Sequence, residues 1–134
     1  MPNMGTVVAC SLAVGYVCGS FLTAELVSKH VSGKSAFDVG QGNPGMANIG
    51  ATYGTTWAAI TLAGDIAKTI LAFVLAQAIF PDAAEVSGTA AAIGATLGHV
   101  FPAWHHFHGG KGVATTCAGI ILMTPVAGGI AAVA

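Results

Sequence analysis

The fold is decided by a loop with the sequence Leu97-Gly98-His99-Val100-Phe101-Pro102, followed by Phe107-His108-Gly109-Gly110-Lys111-Gly112-Val113-Ala114-Thr115. This glycine-rich loop carries a lysine and joins one long apolar stretch to the next. A second glycine-rich stretch, Gly40-Gln41-Gly42-Asn43-Pro44-Gly45, lies in an earlier loop. Successive backbone N–H groups in such loops can cradle an anion. The pattern therefore indicates a phosphorylated ligand that is bound beside apolar segments.

The composition is typical of a membrane protein. Apolar residues make up 54% of the chain and charged residues only 7%, whereas about 25% of residues are charged in an ordinary soluble domain. The chain has no arginine, and its cationic side chains are Lys29, Lys34, Lys68 and Lys111. Nucleic-acid binding needs a clustered basic face. The composition therefore excludes a nucleic-acid partner and favours the lipid bilayer.

Four apolar stretches have lengths suited to crossing a hydrocarbon layer of about 30 Å. They cover residues 5–24, 55–80, 86–104 and 113–134. Backbone groups in lipid must be paired within their own segment, so each stretch is expected to be a helix. We therefore predict an all-α integral membrane protein, a polytopic helix bundle with about four transmembrane helices in one membrane-embedded domain. The fourth stretch runs to Ala134 with no polar residue after it, so we expect the domain to be truncated at this end.

The polar loops are expected to share one side of the membrane. Lysines occur in loop 27–54 and in loop 105–112, whereas the short turn 81–85 has only acidic charges. The positive-inside rule then places both loops in the cytoplasm and the N-terminus outside. Because a helical hairpin separates the two glycine-rich loops, they should lie at the same end of the bundle and can form one site.

The first glycine-rich loop fits two known patterns. Gly40, Gly42 and Gly45 match G-x-G-x-x-G, but the dinucleotide motif needs a preceding strand and a βαβ unit, which membrane helices do not provide. Asn43 is a good N-cap and Pro44 suits the first helical position, so a short helix is predicted to begin there. Its free N–H groups would suit a phosphate. A plain turn is the alternative.

The second loop resembles a phosphate loop without its spacing. Gly109, Gly110 and Gly112 surround Lys111, but the chain lacks the G-x-x-x-x-G-K-[ST] pattern. Glycines around a lysine at a helix start still form a generic phosphate cradle, to which the Thr115 hydroxyl could add a donor. The alternative is a flexible loop with a lysine that extends to the membrane surface.

A few polar residues lie inside the apolar stretches. Asp65 and Lys68 are spaced to pair along one helical face, and ionisable groups at membrane depth indicate either a functional site or a structural pair. His99, near a helix end, is a candidate general base or phosphate donor. Ser20 is a candidate phosphate ligand. The histidines match no standard zinc spacing, so no metal is predicted.

Three blocks of residues resemble the bacterial membrane-embedded glycerol-3-phosphate acyltransferases that use acyl phosphate as donor. They are Cys18-Gly19-Ser20 through Glu25 and Lys29, then Gly40-x-Gly42-Asn43-Pro44-Gly45-x-x-Asn48, and the Leu97–Thr115 loop quoted above. Asp65 and Lys68 also stand where the family has Asp-x-x-Lys. The order and spacing agree along essentially the whole chain.

The resemblance implies transfer of a fatty acyl group from acyl phosphate to the 1-hydroxyl of glycerol 3-phosphate, which gives lysophosphatidic acid. It implies no cofactor and a location in the bacterial inner membrane. His99 and Lys111 are the expected catalytic residues. The expected phosphate-binding residues are Ser20, Gly40, Gly42, Asn43, Gly45, Asn48, Lys68, Gly109, Gly110, Gly112 and Thr115.

The chain departs from the family pattern at several positions. Phe37 and Ala51 replace arginines, Gln41 replaces a serine, Ala47 a threonine and His108 a lysine, and a C-terminal His/Asn motif is absent from the sequence. Arginine binds phosphate in a bidentate manner that lysine does not reproduce. The alternative to an acyltransferase is therefore a degenerate or truncated paralogue that binds lipid precursors or a partner without turnover. A transporter or channel subunit, suggested only by Asp65 and Lys68, is a third class.

Overall fold

The computed structural model describes residues 2–124, and every regular element in them is a helix. The α-helices are α1 (Met4–Gly19), α2 (Thr23–Ser32), α3 (Met46–Tyr53), α4 (Thr55–Ile79), α5 (Ala84–Val100) and α6 (Val113–Met123). Single turns of 3-10 helix occur at Ala36–Asp38, Pro81–Ala83 and Ala103–His105. Helices α1, α4, α5 and α6 form a bundle, and α2 and α3 pack beside the first turns of α4. The predicted helical bundle is confirmed.

Helices α1 and α5 run in parallel with their backbones in contact. The contact is made by Gly15-x-x-x-Gly19 on α1 and Gly94-x-x-x-Gly98 on α5. A Cβ atom at Gly15 would overlap the carbonyl oxygen of Ala91, and one at Gly94 would overlap that of Leu12. Small residues spaced by four allow such close approach of membrane helices. Only glycine fits at these positions.

Helix α4 forms a hairpin with α5 and is the longest helix of the bundle. Its inner face packs alanines against alanines of α5 (Ala72, Ala76, Ala91 and Ala95). Its outer face exposes large apolar side chains (Leu71, Val74, Leu75 and Ile79), as expected of a surface that faces lipid. Thr55–Ile79 is one of two segments long and apolar enough to cross a membrane, which agrees with the predicted span 55–80.

The predicted first span, residues 5–24, is wrong at its C-terminal end. Helix α1 ends at Gly19, and α2 begins at Thr23 after a break. A helix break exposes carbonyl groups that need partners. Trp104 Nε1 donates to the Ser20 carbonyl oxygen at 2.9 Å, and Lys68 Nζ donates to that of Phe21 at 2.7 Å. Both donors lie far away in the sequence, so the local apolar run could not reveal the break.

The predicted third span, residues 86–104, is displaced toward the N-terminus. Helix α5 begins at Ala84 and ends at Val100, because the proline ring of Pro102 disfavours helical backbone at the preceding residue. The predicted fourth span covers residues 113–134. Helix α6 accounts for Val113–Met123, and residues 125–134 lie outside the described part of the chain.

The predicted loop 27–54 is largely helical and has its own small core. Ala24 and Val27 of α2 pack against Ala36 and Ile49. Glu25 is buried and accepts hydrogen bonds from the Ser35 hydroxyl and the Ala36 backbone N–H, each at 2.9 Å. This loop is therefore a folded unit at one end of the bundle.

A second cluster joins α2 to α3. The Tyr53 hydroxyl lies 3.0 Å from the Ser28 hydroxyl and 2.6 Å from that of Ser32. These hydrogen bonds, that of Ser28 first, lower the pKa of the Tyr53 phenol.

Candidate active site

A cavity of about 590 Å³ lies where the two glycine-rich loops meet. Its wall includes Gln41 and Asn43 of the first loop, the first residues of α3, His99 at the end of α5, and Lys111 of the second loop. From there the cavity extends between α4 and α6. Both loops therefore lie at the same end of the bundle and border one cavity, as predicted, whereas their common role as one binding site stays a prediction.

Two helix N-termini border the polar end of this cavity. Gly45 is the N-cap of α3 and Gly112 that of α6. The first-turn residues Met46, Ala47, Val113 and Ala114 line the wall. The first N–H groups of a helix have no partner within the helix and favour anions. With the Lys111 side chain in the same wall, this end of the cavity is suited to phosphate groups.

The cavity wall between α4 and α6 is mainly apolar. Leu62, Ile66 and Ile70 of α4 face Ala118 and Ile121 of α6 across the cavity. At a rise of about 1.5 Å per residue, Leu62 to Ile70 spans about 12 Å along α4. The space can therefore accept an elongated apolar group whose head lies at the anion-binding end.

The Asn48 side chain organises the first loop. Its amide oxygen accepts from the Gln41 backbone N–H at 2.9 Å, and its NH₂ group lies 3.3, 3.0 and 2.9 Å from the carbonyl oxygens of Ala36, Val39 and Asn43. A side-chain amide has two N–H donors, so none remains for a ligand. Asn48 lines the cavity, but its hydrogen bonds give it a positioning role in place of the expected phosphate contact.

Two glycines of the first loop allow its backbone to adopt a left-handed conformation. Gly40 and Gly42 have φ of 54° and 73°, a left-handed conformation that favours glycine. The Gly42 N–H donates to the Val39 carbonyl oxygen and the Gly45 N–H to that of Asn43. The turn closed by Gly45 keeps Asn43 and Pro44 outside the helix, so the prediction that α3 begins at these two residues is wrong by a few positions.

The second loop is bonded to the end of α5. The Gly109 N–H donates to the Val100 carbonyl oxygen at 2.9 Å, and the Gly110 N–H donates to that of His99 at 3.0 Å. These N–H groups are unavailable to a phosphate, contrary to the predicted cradle. A Cβ atom at Gly110 would overlap His99 Nε2, so this glycine lets the loop lie directly on the imidazole ring.

The ion pair expected between Asp65 and Lys68 is confirmed. Lys68 Nζ lies 3.2 Å from Asp65 Oδ1 and 2.7 Å from His99 Nδ1. All three side chains are buried. The cluster therefore links the middle of α4 to the last turn of α5 and, through the Phe21 carbonyl, to the break after α1.

The cavity wall brings together part of the predicted site. It contains His99, Lys111, Asn43, Gly45, Asn48 and Gly112. The other predicted residues lie outside the wall: Ser20, Gly40, Gly42, Lys68, Gly109, Gly110 and Thr115. The Ser20 hydroxyl donates to the Val17 carbonyl oxygen at 2.9 Å, and the Thr115 hydroxyl donates to that of Gly112 at 3.1 Å. Neither hydroxyl is placed to bind a phosphate.

The predicted site omits several residues that line the cavity. In the sequence Gln41 stands out only as a departure from a family pattern, and Asp65 only as the partner of Lys68, yet both are in the wall. The apolar wall of α4 could have been found from the spacing of Leu62, Ile66 and Ile70, which follow the helical period on one face.

Comparisons with known proteins agree with this architecture. A family model for glycerol-3-phosphate acyltransferase matches residues 9–134. The chain is 42% identical over 121 residues to glycerol-3-phosphate acyltransferase 1 of Lactobacillus johnsonii, which covers 90% of this chain and 58% of that protein. It is 37% identical over 114 residues to the glycerol-3-phosphate acyltransferase of Bordetella pertussis, covering 85% and 53% respectively.

The fold also matches a solved structure. The crystal structure of PlsY (YgiH), an integral membrane glycerol 3-phosphate acyltransferase in its glycerol 3-phosphate form, superposes with a TM-score of 0.79 at 25% identity. The match covers 94% of this chain and 62% of that one. This chain therefore spans between half and two thirds of the length of these relatives.

The fold and the cavity define a class of protein: an integral membrane helix bundle whose cavity has two helix N-termini and a lysine at one end. Within that class, the family model and the relatives described above identify the family. The chain belongs to the glycerol-3-phosphate acyltransferase family.

Proposed function

We propose that the protein transfers a fatty acyl group from an acyl phosphate to the 1-hydroxyl of glycerol 3-phosphate. The observation that carries this proposal is the cavity itself, in which two helix N-termini and Lys111 lie at one end and an apolar cleft at the other. Both substrates bear a phosphate, and one bears a long apolar chain. The relatives described above are named glycerol-3-phosphate acyltransferases.

The proposed reaction forms one bond and breaks one bond. The hydroxyl oxygen of glycerol 3-phosphate forms an ester bond with the acyl carbonyl carbon, and the bond from that carbon to the phosphate oxygen breaks. The phosphate leaves with the bonding electrons and takes up the proton that the hydroxyl loses, so the products are lysophosphatidic acid and hydrogen phosphate. Acyl phosphate is already activated, and orientation of the hydroxyl against the carbonyl can supply much of the rate.

The cavity residues have distinct parts in this proposal. The N–H groups at the starts of α3 and α6 bind phosphate oxygens, and Lys111 stabilises the negative charge on the leaving phosphate. His99 acts beside them as a proton acceptor or as a hydrogen-bond donor. Asn48 positions the first loop, whereas the apolar side chains of α4 and α6 bind the acyl chain.

Activity is tested with the chain reconstituted in liposomes, with palmitoyl phosphate or palmitoyl-coenzyme A as donor and mass spectrometry of lysophosphatidic acid as readout. We expect product from the acyl phosphate and none from the thioester. Lys111→Ala should lower turnover by about 100-fold or more, as for loss of a donor to a developing negative charge. Lys34→Ala is the matched control, because Lys34 is exposed and lies outside the cavity wall. Absence of product with wild-type protein, or full turnover with Lys111→Ala, would contradict the proposal.

We also propose that the chain lies in the bacterial inner membrane with both glycine-rich loops in the cytoplasm and the N-terminus outside, because the loop lysines follow the positive-inside rule. Asn3→Cys and Lys34→Cys, each made after replacing Cys10, Cys18 and Cys117 by alanine, report the two sides. A membrane-impermeant maleimide should label position 3 in spheroplasts and position 34 only in inverted vesicles. The opposite labelling would reverse the orientation.

A further inference from the structure

Lys68 lies outside the cavity wall, yet it is buried against two residues within that wall, Asp65 and His99. Its ammonium contacts the Phe21 carbonyl oxygen at 2.7 Å, His99 Nδ1 at 2.7 Å and Asp65 Oδ1 at 3.2 Å. The contacts with Phe21 and His99 are hydrogen bonds, whereas the contact with Asp65 is an ion pair, since Asp65 Oδ1 has no hydrogen-bond partner among residues 2–124. Because Lys68 is buried and lies outside the wall, its effect on the cavity passes through the wall residues that it contacts, and of these only His99 is hydrogen-bonded to it among residues 2–124.

We propose that Lys68 is a positioning residue that holds His99 in the tautomer with its hydrogen on Nε2, so that His99 presents an N–H donor to the cavity. This inference deepens the proposed acyl transfer and rests on it for its kinetic consequences. The tautomer itself is a property of the protein without substrate.

The direction of the hydrogen bond follows from the chemistry of the two groups. An ammonium can only donate, so Nδ1 of His99 must offer its lone pair to Lys68. In a neutral imidazole the hydrogen is then on Nε2. A doubly protonated ring would place an N–H group of Nδ1 against the ammonium, with two like charges in contact.

The position of Asp65 supports the same tautomer. In a serine-protease triad, a carboxylate accepts the hydrogen of Nδ1 and leaves Nε2 free to act as a base. Here the distance from Asp65 Oδ1 to His99 Nδ1 is 3.8 Å, too long for a hydrogen bond. Here Lys68, a donor, stands where the triad has its carboxylate acceptor. The hydrogen bond at Nδ1 therefore runs in the opposite direction, and Nε2 carries the hydrogen and is the donor.

The ring is also fixed from its other edge. The Gly110 N–H binds the His99 backbone, and the Gly110 Cα lies so close to the ring that a Cβ atom would overlap Nε2. Nε2 therefore lies beside the loop that carries Lys111. It has no hydrogen-bond partner among residues 2–124, while His99 forms part of the cavity wall. The free N–H of His99 and the Lys111 side chain thus serve the same anion-binding end.

The tautomer is measured by ¹⁵N NMR of the protein with labelled histidines in nanodiscs, with His99→Ala to identify the resonances. We expect His99 to carry its hydrogen on Nε2, and Lys68→Met to shift the ring toward a mixture of tautomers. Thr69→Val is the matched control, because Thr69 is buried next to Lys68 on α4 and its hydroxyl donates to the Asp65 carbonyl oxygen. A hydrogen on Nδ1 in the wild type, or an unchanged spectrum in Lys68→Met, would overturn the inference.

Steady-state kinetics supply a second readout. An N–H donor is partly replaced by the amide of glutamine, whereas a base is not, so His99→Gln should keep about tenfold more turnover than His99→Ala. Lys68→Met should lower kcat by about tenfold with little change in KM, since the N–H donor acts on charge that develops in the transition state. Lys68→Arg, which keeps the charge and the donors, should recover part of this loss. Equal turnover of His99→Gln and His99→Ala would contradict the donor role.

The two proposals fail in different ways. If the wild-type protein makes no lysophosphatidic acid, the proposed function fails, whereas the NMR measurement still decides the tautomer. If turnover is normal but the hydrogen lies on Nδ1, only the inference about Lys68 fails.

Discussion

The bundle contains two helix–helix contacts of opposite character. Between α1 and α5, glycine motifs on both helices bring the backbones together and leave no space for a Cβ atom. Between α4 and α6, the small residues of the cavity wall lie on α6, near the loops. The facing side chains of α4, such as Leu62 and Ile66, are large. Large side chains at a contact keep helix axes apart. A contact with small residues on both sides is closed, whereas one with them on a single side can retain a cavity.

The largest effect is expected where the closed contact is disrupted. Gly94→Leu inserts a side chain where even a Cβ atom would overlap the Leu12 carbonyl oxygen, and overpacking of this kind costs about 3 kcal/mol or more. We expect little monodisperse protein by size-exclusion chromatography in detergent. Ile93→Leu, at an exposed position on the same helix, should behave like wild type. Normal yield and melting temperature of Gly94→Leu would show that α1 and α5 can separate without loss of the fold.

A smaller effect is expected where the open contact is filled. Ala114→Leu adds a side chain to the cavity wall at a half-buried position, so it should exclude substrate and leave the fold intact. We expect turnover to fall by about tenfold, equivalent to about 1.4 kcal/mol, with an unchanged melting temperature. Thr116→Leu, at an exposed position of the same helix, is the control. A fall in melting temperature as large as that for Gly94→Leu would mean that this contact is as tightly packed as the other.

The smallest effect is expected at the deep end of the open contact. Ile70→Ala removes apolar surface from the cavity wall, which should weaken binding of a long acyl chain by about 1 kcal/mol. The KM for palmitoyl phosphate should rise several-fold. A donor with a chain too short to reach Ile70 should show no change, and this donor is the internal control. Equal effects on both donors would place the acyl chain elsewhere.

Much of the helical architecture follows from the sequence alone. Helix α4 is predominantly apolar between two turn signals, so its predicted bounds agree with the structure within one residue. The break after Gly19 is not predictable in this way, because its carbonyl groups are satisfied by Lys68 and Trp104. A contact between residues so distant in sequence leaves no local signal.

The candidate site is predictable in outline but not in detail. Glycine spacing and charge indicate both loops and the residues His99 and Lys111, and the structure places them in one cavity. The same glycines are expected to bind phosphate, but the N–H groups of Gly109 and Gly110 bind the end of α5. A sequence shows that a backbone is free to bend, but it does not show which groups the bent backbone will contact.

Helix α4 is one continuous helix that connects three parts of the molecule. Its first turns pack against the α2–α3 unit through Trp57, its middle supplies Asp65 and Lys68, and the turns from Leu62 to Ile70 form the cavity wall. Insertion of one residue into a helix advances the downstream residues by about 1.5 Å and rotates them by about 100°. One inserted residue between Trp57 and Asp65 would therefore shift both the Asp65–Lys68 ion pair and the cavity wall of α4 relative to the α2–α3 unit. Among homologues of this protein, insertions and deletions should occur in the distant turn Pro81–Ala83 and not in this helix.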